Sequence, residues 1–173
     1  MKYEKLKPED LNLNVFDKIG KEWMLVSAYD ESKKPLPYNT MTASWGGMGV
    51  MWNKNIFICA IRPQRYTFGF AEKSDIITVS FFDKKYKKAL SLCGTLSGRD
   101  CDKIAAAGLT PVIENSAVFF EQATLTFVGK KLYSSFLEKS GFCDDSILPD
   151  CYPNNDFHKM YACEIIEIRK NAK

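Results

Sequence analysis

The sequence predicts a mostly β chain, folded as a small antiparallel barrel decorated with short helices. Three observations carry this. Runs of β-branched and aromatic residues recur along the chain, separated by Gly, Pro and Asn turns and only occasionally by helical periodicity, which favours an antiparallel barrel or sandwich over a doubly wound α/β sheet. No GxGxxG loop follows the first such run, which counts against a dinucleotide-binding sheet. Apolar residues make up 46% of the 173 residues with no long polar tract, enough for one domain over 1–173.

In order, residues 1–22 read as a polar lead-in with apolar turns at Val15-Phe16 and Ile19-Gly20. Met24–Tyr29 is the first strand, closed by a Lys- and Pro-rich turn over Asp30–Pro37. Thr40–Trp45 is the second; a Gly-rich loop at Gly46-Gly47 and a turn at Asn53-Lys54-Asn55 lead to Ile56–Ile61, a strand buried on both faces. Pro63–Lys73 reads as a short helix with proline at its first position, and Ile76–Phe82 as a strand. Asp83 then caps a helix whose face Tyr86, Ala89, Leu90 and Cys93 is apolar and which Gly94 stops. Thr95–Gly108 is a Ser-Gly loop and an Ala-rich helix capped by Asp100. Alternation of Phe119, Ala123, Leu125 and Phe127 with polar residues makes Ala117–Lys131 one long strand. Residues 132–157 read as irregular, with helical turns near Ser134–Lys139 and Asp144–Tyr152, and Met160–Ile168 closes the chain as a strand.

Charge excludes some partners. Lys and Arg number 24 against 21 Asp and Glu, far from the balance of a dedicated nucleic-acid binder, and Lys84, Lys85, Lys87 and Lys88 read as a solvated helix face with no stacking aromatics between them. No apolar run approaches the roughly 18 residues of a membrane span. The charged start MKYEKLKPEDLN lacks a signal peptide's apolar core, so a cytoplasmic protein with six free thiols is expected. No CxxC pair occurs, and no metal site is expected.

Chemistry concentrates between Asn39 and Thr67. Met41–Trp45 sets small and hydroxyl side chains, including Thr42, Ala43 and Ser44, beside an indole, while Arg62-Pro63-Gln64-Arg65-Tyr66-Thr67 places two guanidinium groups at a helix start. Free amides and the positive end of the helix dipole make such a start a phosphate seat. A planar aromatic ligand with a phosphate tail suits both ends.

The motifs NTMTASW (39–45), RPQRYTF (62–68), LSGRDCDK (96–103) with AAAGLTP (105–111), and the lone His158 resemble, in order, those of the flavin reductase-like, FMN-binding split-barrel proteins, flavoredoxins among them. The resemblance implies a six-stranded Greek-key barrel that dimerises with FMN near the interface. It implies Asn39, Met41, Thr42, Ala43, Ser44 and Trp45 around the isoalloxazine, and Arg62, Arg65, Tyr66 and Thr67 at the phosphate. Ser97, Gly98 and Lys103 fall on a second flavin-facing loop, with Lys103 near the edge of the ring that becomes anionic on reduction. His158 falls at the site's edge, where it is the candidate catalytic residue.

The implied activity is an oxidoreductase passing electrons from NAD(P)H or a redox-protein partner through FMN, in a homodimer with Trp52 and Tyr152 exposed. Two alternatives stay open: a flavoredoxin-like carrier without nicotinamide activity, and a flavin-binding protein without turnover. Taken singly the residues have plainer readings: Trp45 as a core indole, Arg62 and Arg65 as surface charges, Lys103 as a local ion-pair partner, Cys93 as packing.

Overall fold

The computed structural model describes residues 3–171. Its strands are β1 (Tyr3–Leu6), β2 (Met24–Tyr29), β3 (Tyr38–Ala43), β4 (Gly46–Met51), β5 (Lys54–Ile61), β6 (Ile76–Phe82), β7 (Pro111–Glu114), β8 (Ala117–Phe120), β9 (Ala123–Phe136) and β10 (Lys159–Asn171). The α-helices are α1 (Tyr66–Lys73), α2 (Lys87–Thr95), α3 (Lys103–Ala106) and α4 (Ile147–Cys151).

The main sheet runs β3-β2-β6-β9-β10-β5-β4, antiparallel throughout, with β1 added on β10. Its first six strands curve so that β3 approaches β5 without a hydrogen-bonded ladder between them, leaving a slit in the barrel wall. Only Ser44 and Trp45 separate the end of β3 from the start of β4, although these strands close opposite ends of the sheet order. Those two residues therefore bridge the slit. Gly46 makes the bridge possible: at φ +152° it lies in space where a Cβ would stand 2.3 Å from the Ile58 carbonyl oxygen.

Alternation sorts the strands' side chains. Val26, Ala28, Phe57, Cys59, Ile61, Ile77, Val79, Phe81, Phe127 and Tyr161 fill the barrel, and Phe70 of α1 joins them. Leu25 and Phe82 point the other way, packing under Ala89, Leu90 and Cys93 of α2, Ile104 of α3, and the β7-β8 hairpin. Burial pushes the Cys93 thiol up to about 11, so it packs as a neutral group.

Several expectations change. The lead-in contains β1, whose pairing with β10 gives it no apolar alternation to read. Gly46-Gly47 is not a loop but the start of β4, made a strand by its ladder to β5; the turn between them is Trp52-Asn53, both at positive φ as a two-residue hairpin requires. Helix α1 begins at Tyr66, and Pro63 lies in the turn before it. Gly94 does not stop α2, which runs to Thr95. Asp83 makes no side-chain cap, and Asp102 rather than Asp100 caps α3, accepting from the Ile104 and Ala105 amides. The long segment breaks at Glu121-Gln122 into β8 and β9 because β8 pairs with β7, and β9 continues to Phe136. All six cysteines are free, and among the described residues no helix is long and apolar enough to cross a membrane.

Candidate functional site

The bridge across the slit forms one wall of a cleft of about 350 Å³. Met41, Thr42 and Ala43 of β3 supply its floor, Ser44 and Trp45 its near wall, and Ala60, Arg62, Arg65, Gly94 and His158 the remainder. Thr42 Oγ1 donates to the Leu90 carbonyl, tying β3 to α2. Trp45 is not a core indole: it is 44% exposed, with its ring 4.9 Å from that of His158 and 6.4 Å from that of Tyr152.

His158 is buried behind Trp45. Its Nδ1 lies 2.9 Å from the Tyr152 hydroxyl, and its Nε2 accepts from Arg62 Nε at 3.4 Å. Burial and the Arg62 charge lower it to about 4, so the ring is neutral at physiological pH with both nitrogens engaged. It stands in the wall as a rigid, uncharged group.

Arg62 is occupied as well. It pairs with Asp156, donates to the Cys151 carbonyl at 2.7 Å and reaches His158, so it anchors the segment before β10 instead of standing free for a phosphate. Burial opposes ionisation of Asp156, but hydrogen bonds from Arg62 and Gln64 outweigh it and hold the carboxyl below its ordinary value.

Arg65 differs. It lines the Trp45 cleft and also a smaller cavity of about 140 Å³ at the start of α1, walled by Gln64, Tyr66, Thr67, Ser97, Arg99 and Lys103 among others. One guanidinium nitrogen donates to the Gly94 carbonyl at 2.6 Å. Lys103 is only 3% exposed, and its Nζ donates to the Cys93 and Leu96 carbonyls at 3.1 and 3.3 Å. Among the described residues neither cation has a carboxylate partner. Burial, with Arg65 adding to it, lowers Lys103 to about 8; burial and then Arg62 lower Arg65. Two desolvated cations beside a helix start, with no acid between them, have the charge pattern of an anion seat.

Asn39, Thr67 and Gly98 stand behind this seat as a latch. Asn39 Nδ2 donates to Thr67 Oγ1 at 2.7 Å, both buried, and a Cβ on Gly98 would lie 2.3 Å from Asn39 Oδ1 and 2.9 Å from the Tyr66 ring. Asn39 thus faces α1 and the 97–103 loop and does not line the Trp45 cleft. Lys103 likewise lines the seat and not that cleft.

Sequence reasoning missed Gly94, Arg99, Tyr152 and Asp156. Arg99 stacks 5.0 Å over the Tyr66 ring and donates to the Gln64 carbonyl, and it lay in plain view inside LSGRDCDK. Tyr152 and Asp156 come from the irregular segment, where no periodicity marks them; Tyr152, expected at the surface, is 4% exposed, its ring packed among Trp45, Phe142, Phe157 and His158 and its hydroxyl bonded to His158.

The whole chain was compared with known proteins. No protein-family profile and no curated protein matches it. Solved structures do. Flavoredoxin of Desulfovibrio vulgaris (Miyazaki F) superposes with a TM-score of 0.66 over 97% of this chain and 77% of its own, at 19% identity. This chain has the split-barrel fold. The FMN-binding protein of Thermus thermophilus, solved with p-hydroxybenzaldehyde, gives 0.65 over 97% and 82% at 17% identity, and flavoredoxin of Methanosarcina acetivorans 0.64 over 97% and 76% at 22%. In the split barrel of this chain, the slit carries the Trp45 cleft and the start of α1 carries the anion seat.

Proposed function

We propose that the chain is an FMN-binding flavoprotein oxidoreductase, acting as a homodimer and taking electrons from NAD(P)H or a redox-protein partner. One observation carries this: an aromatic-walled cleft and an acid-free cationic seat, joined through Arg65, match a planar ring with a phosphate tail. The fold shared with the flavoredoxins supports it.

The residues fit FMN by charge. A phosphate dianion would supply the countercharge for Arg65 and Lys103, whose side-chain partners are backbone carbonyls alone. Arg65, Lys103, Ser97 and the first amides of α1 would hold the phosphate, with Thr67 and Gly98 fixing their wall. Met41, Thr42, Ala43, Ser44 and Trp45 would border the ring, and neutral His158 would back Trp45. FMN, when bound, supplies the two-electron exchange. The chain binds, orients and sets the local field; His158 acts in this reading by position, because neither ring nitrogen is free.

For the dimer, support comes from the sheet surface beside the cleft. Ala60 lines the cleft, its cross-strand neighbour Met160 is exposed, and exposed Trp52 and Tyr133 stand together with ring centroids 6.2 Å apart. An apolar surface at a cofactor rim suits a second copy.

The test is an anaerobic titration of the FMN-loaded protein. Bleaching of the flavin band by NADH or NADPH alone is the expected result for a reductase. Bleaching only by a reduced carrier protein assigns the flavoredoxin-like role, and bleaching by neither removes the redox reading.

A further inference from the structure

We infer that the exposed lysine stripe leading into α2 is the docking surface for a small acidic electron-carrier protein of the ferredoxin type, a partner assignment that rests on the flavin reading above. Lys84, Lys85 and Lys88 are exposed, and the same side continues through exposed Ser91, Leu92 and Thr95. Positions 88, 91, 92 and 95 share one helix face. From Lys88 to Thr95 is about 10 Å along the axis. The stripe therefore runs from a cationic end to the rim of the site.

Its charges are uncompensated. Among the described residues no carboxylate pairs with Lys84, Lys85 or Lys88, whereas Lys5, Lys18, Lys21, Lys54 and Lys159 each have one. Of the neighbouring acids, Glu22 is bound to Lys18, and Asp83, next to Lys84 in the chain, makes no ion pair among the described residues and offsets at most one of the three charges. Lys87 is withdrawn from the stripe, its ammonium 3.1 Å from the centre of the Trp23 ring and donating to the Lys21 carbonyl. With that ring covered, the aromatic between the exposed lysines is Tyr86, which packs against Phe82 and has the Lys85 ammonium 5.3 Å from its ring centre, so it presents no open face to stack a base and the chemistry favours an acidic protein over a nucleic-acid strand.

The other end of the stripe is built for contact. Ser91 and Thr95 border a shallow hollow of about 250 Å³ with Trp23, Leu90, Gly94 and Thr42–Ser44, and the last four are shared with the Trp45 cleft. Leu92 lies exposed beside it. An apolar centre with a basic flank is the pattern of a steered, short-lived protein encounter. The platform is rigid, because Ala89, Leu90 and Cys93 are buried against the barrel and the Leu90 and Gly94 carbonyls hold Thr42 and Arg65. Each iron–sulfur cluster of such a carrier gives up one electron, so two reduced clusters, on one two-cluster carrier or on two single-cluster ones, are oxidised for each two-electron reduction, with protons drawn from solvent.

The experiment titrates oxidised 2[4Fe–4S] ferredoxin into the FMN-loaded protein by calorimetry at low and at physiological ionic strength. Two charge-matched variants are compared: Lys84→Glu/Lys85→Glu/Lys88→Glu, and Lys130→Glu/Lys139→Glu/Lys170→Glu, whose lysines are exposed elsewhere. The first should lose affinity about tenfold or more at low salt and most of its salt dependence, the second about twofold or less. No binding by the natural protein, equal losses in both variants, or no loss in the first overturns the docking surface, as does binding of anionic vesicles or oligonucleotides in its place. FMN uptake is read separately from the absorption spectrum, so a protein that takes up no flavin refutes the underlying reading and one that takes it up but ignores ferredoxin refutes only this one.

Discussion

Arg65 and Lys103 carry the account at the scale of single residues. The Arg65 guanidinium gives one donor to Gly94 and makes no other hydrogen bond among the described residues, so charge-assisted contacts of roughly 1.5–3 kcal/mol each are available to a phosphate. Arg65→Ala should weaken FMN tenfold or more and leave riboflavin nearly unchanged in a fluorescence-quenching titration; equal losses for both would remove the phosphate role. Lys103 makes a pH prediction. Its ordinary value is 10.5 and its folded value about 8, so between those pH values the unfolded chain holds a proton that the native one does not, and apo-protein stability rises with pH across that window. FMN affinity should fall over the same range as the ammonium is lost. Lys103→Met should flatten both curves in melting and binding series, and a variant that keeps the slopes would assign them elsewhere. His158 acts in the same direction lower on the pH scale: with its folded value near 4 against 6.5, stability is lost as pH falls from 6.5 towards 4, and His158→Gln should remove that share of the acid slope. Which residues line the cleft and the cavity was largely legible here, since Trp45, Arg65, Lys103 and His158 all sit in the quoted motifs. Their states were not: that Arg62 is spent on Asp156, or that Lys103 is buried with carbonyls for partners, depends on segments far apart in the chain.

At the scale of elements, the latch between β3, α1 and the 97–103 loop is the most exposed to test. Gly98 has no room for a methyl group, its Cβ position meeting Asn39 Oδ1 and the Tyr66 ring. Gly98→Ala should cost about 1–3 kcal/mol, the usual range for overpacking, and weaken FMN by shifting the seat. An unchanged melting temperature would show that the latch yields freely. Elements announced by apolar runs, such as β2, β5 and β6, were readable within two residues of their ends. Those defined by partners were not. β1 is polar and held by β10, Gly46-Gly47 is strand only because β5 lies beside it, and the break between β8 and β9 follows from the β7 ladder. Pairing across the sheet leaves no local mark in the sequence.

For the whole molecule, the six-strand wall β3-β2-β6-β9-β10-β5 follows the barrel that the motifs implied, while the outer strands β1 and β4 and the β7-β8 hairpin lay beyond them. Assembly is the matching prediction. Sedimentation should show a dimer, and Trp52→Glu with Tyr133→Glu, which puts charge into the apolar face beside the cleft, should yield monomers that hold FMN less tightly. A natural protein that sediments as a monomer with FMN fully bound would defeat the assembly claim. The central claim, that the cleft and the seat together hold a flavin by its phosphate, is tested most directly by titrating the purified protein with FMN and with riboflavin in parallel. The account predicts a perturbed flavin spectrum with FMN and an affinity for it at least about tenfold above that for riboflavin, the return from one or more charge-assisted contacts; equal affinities, or no spectral change with either, would contradict it.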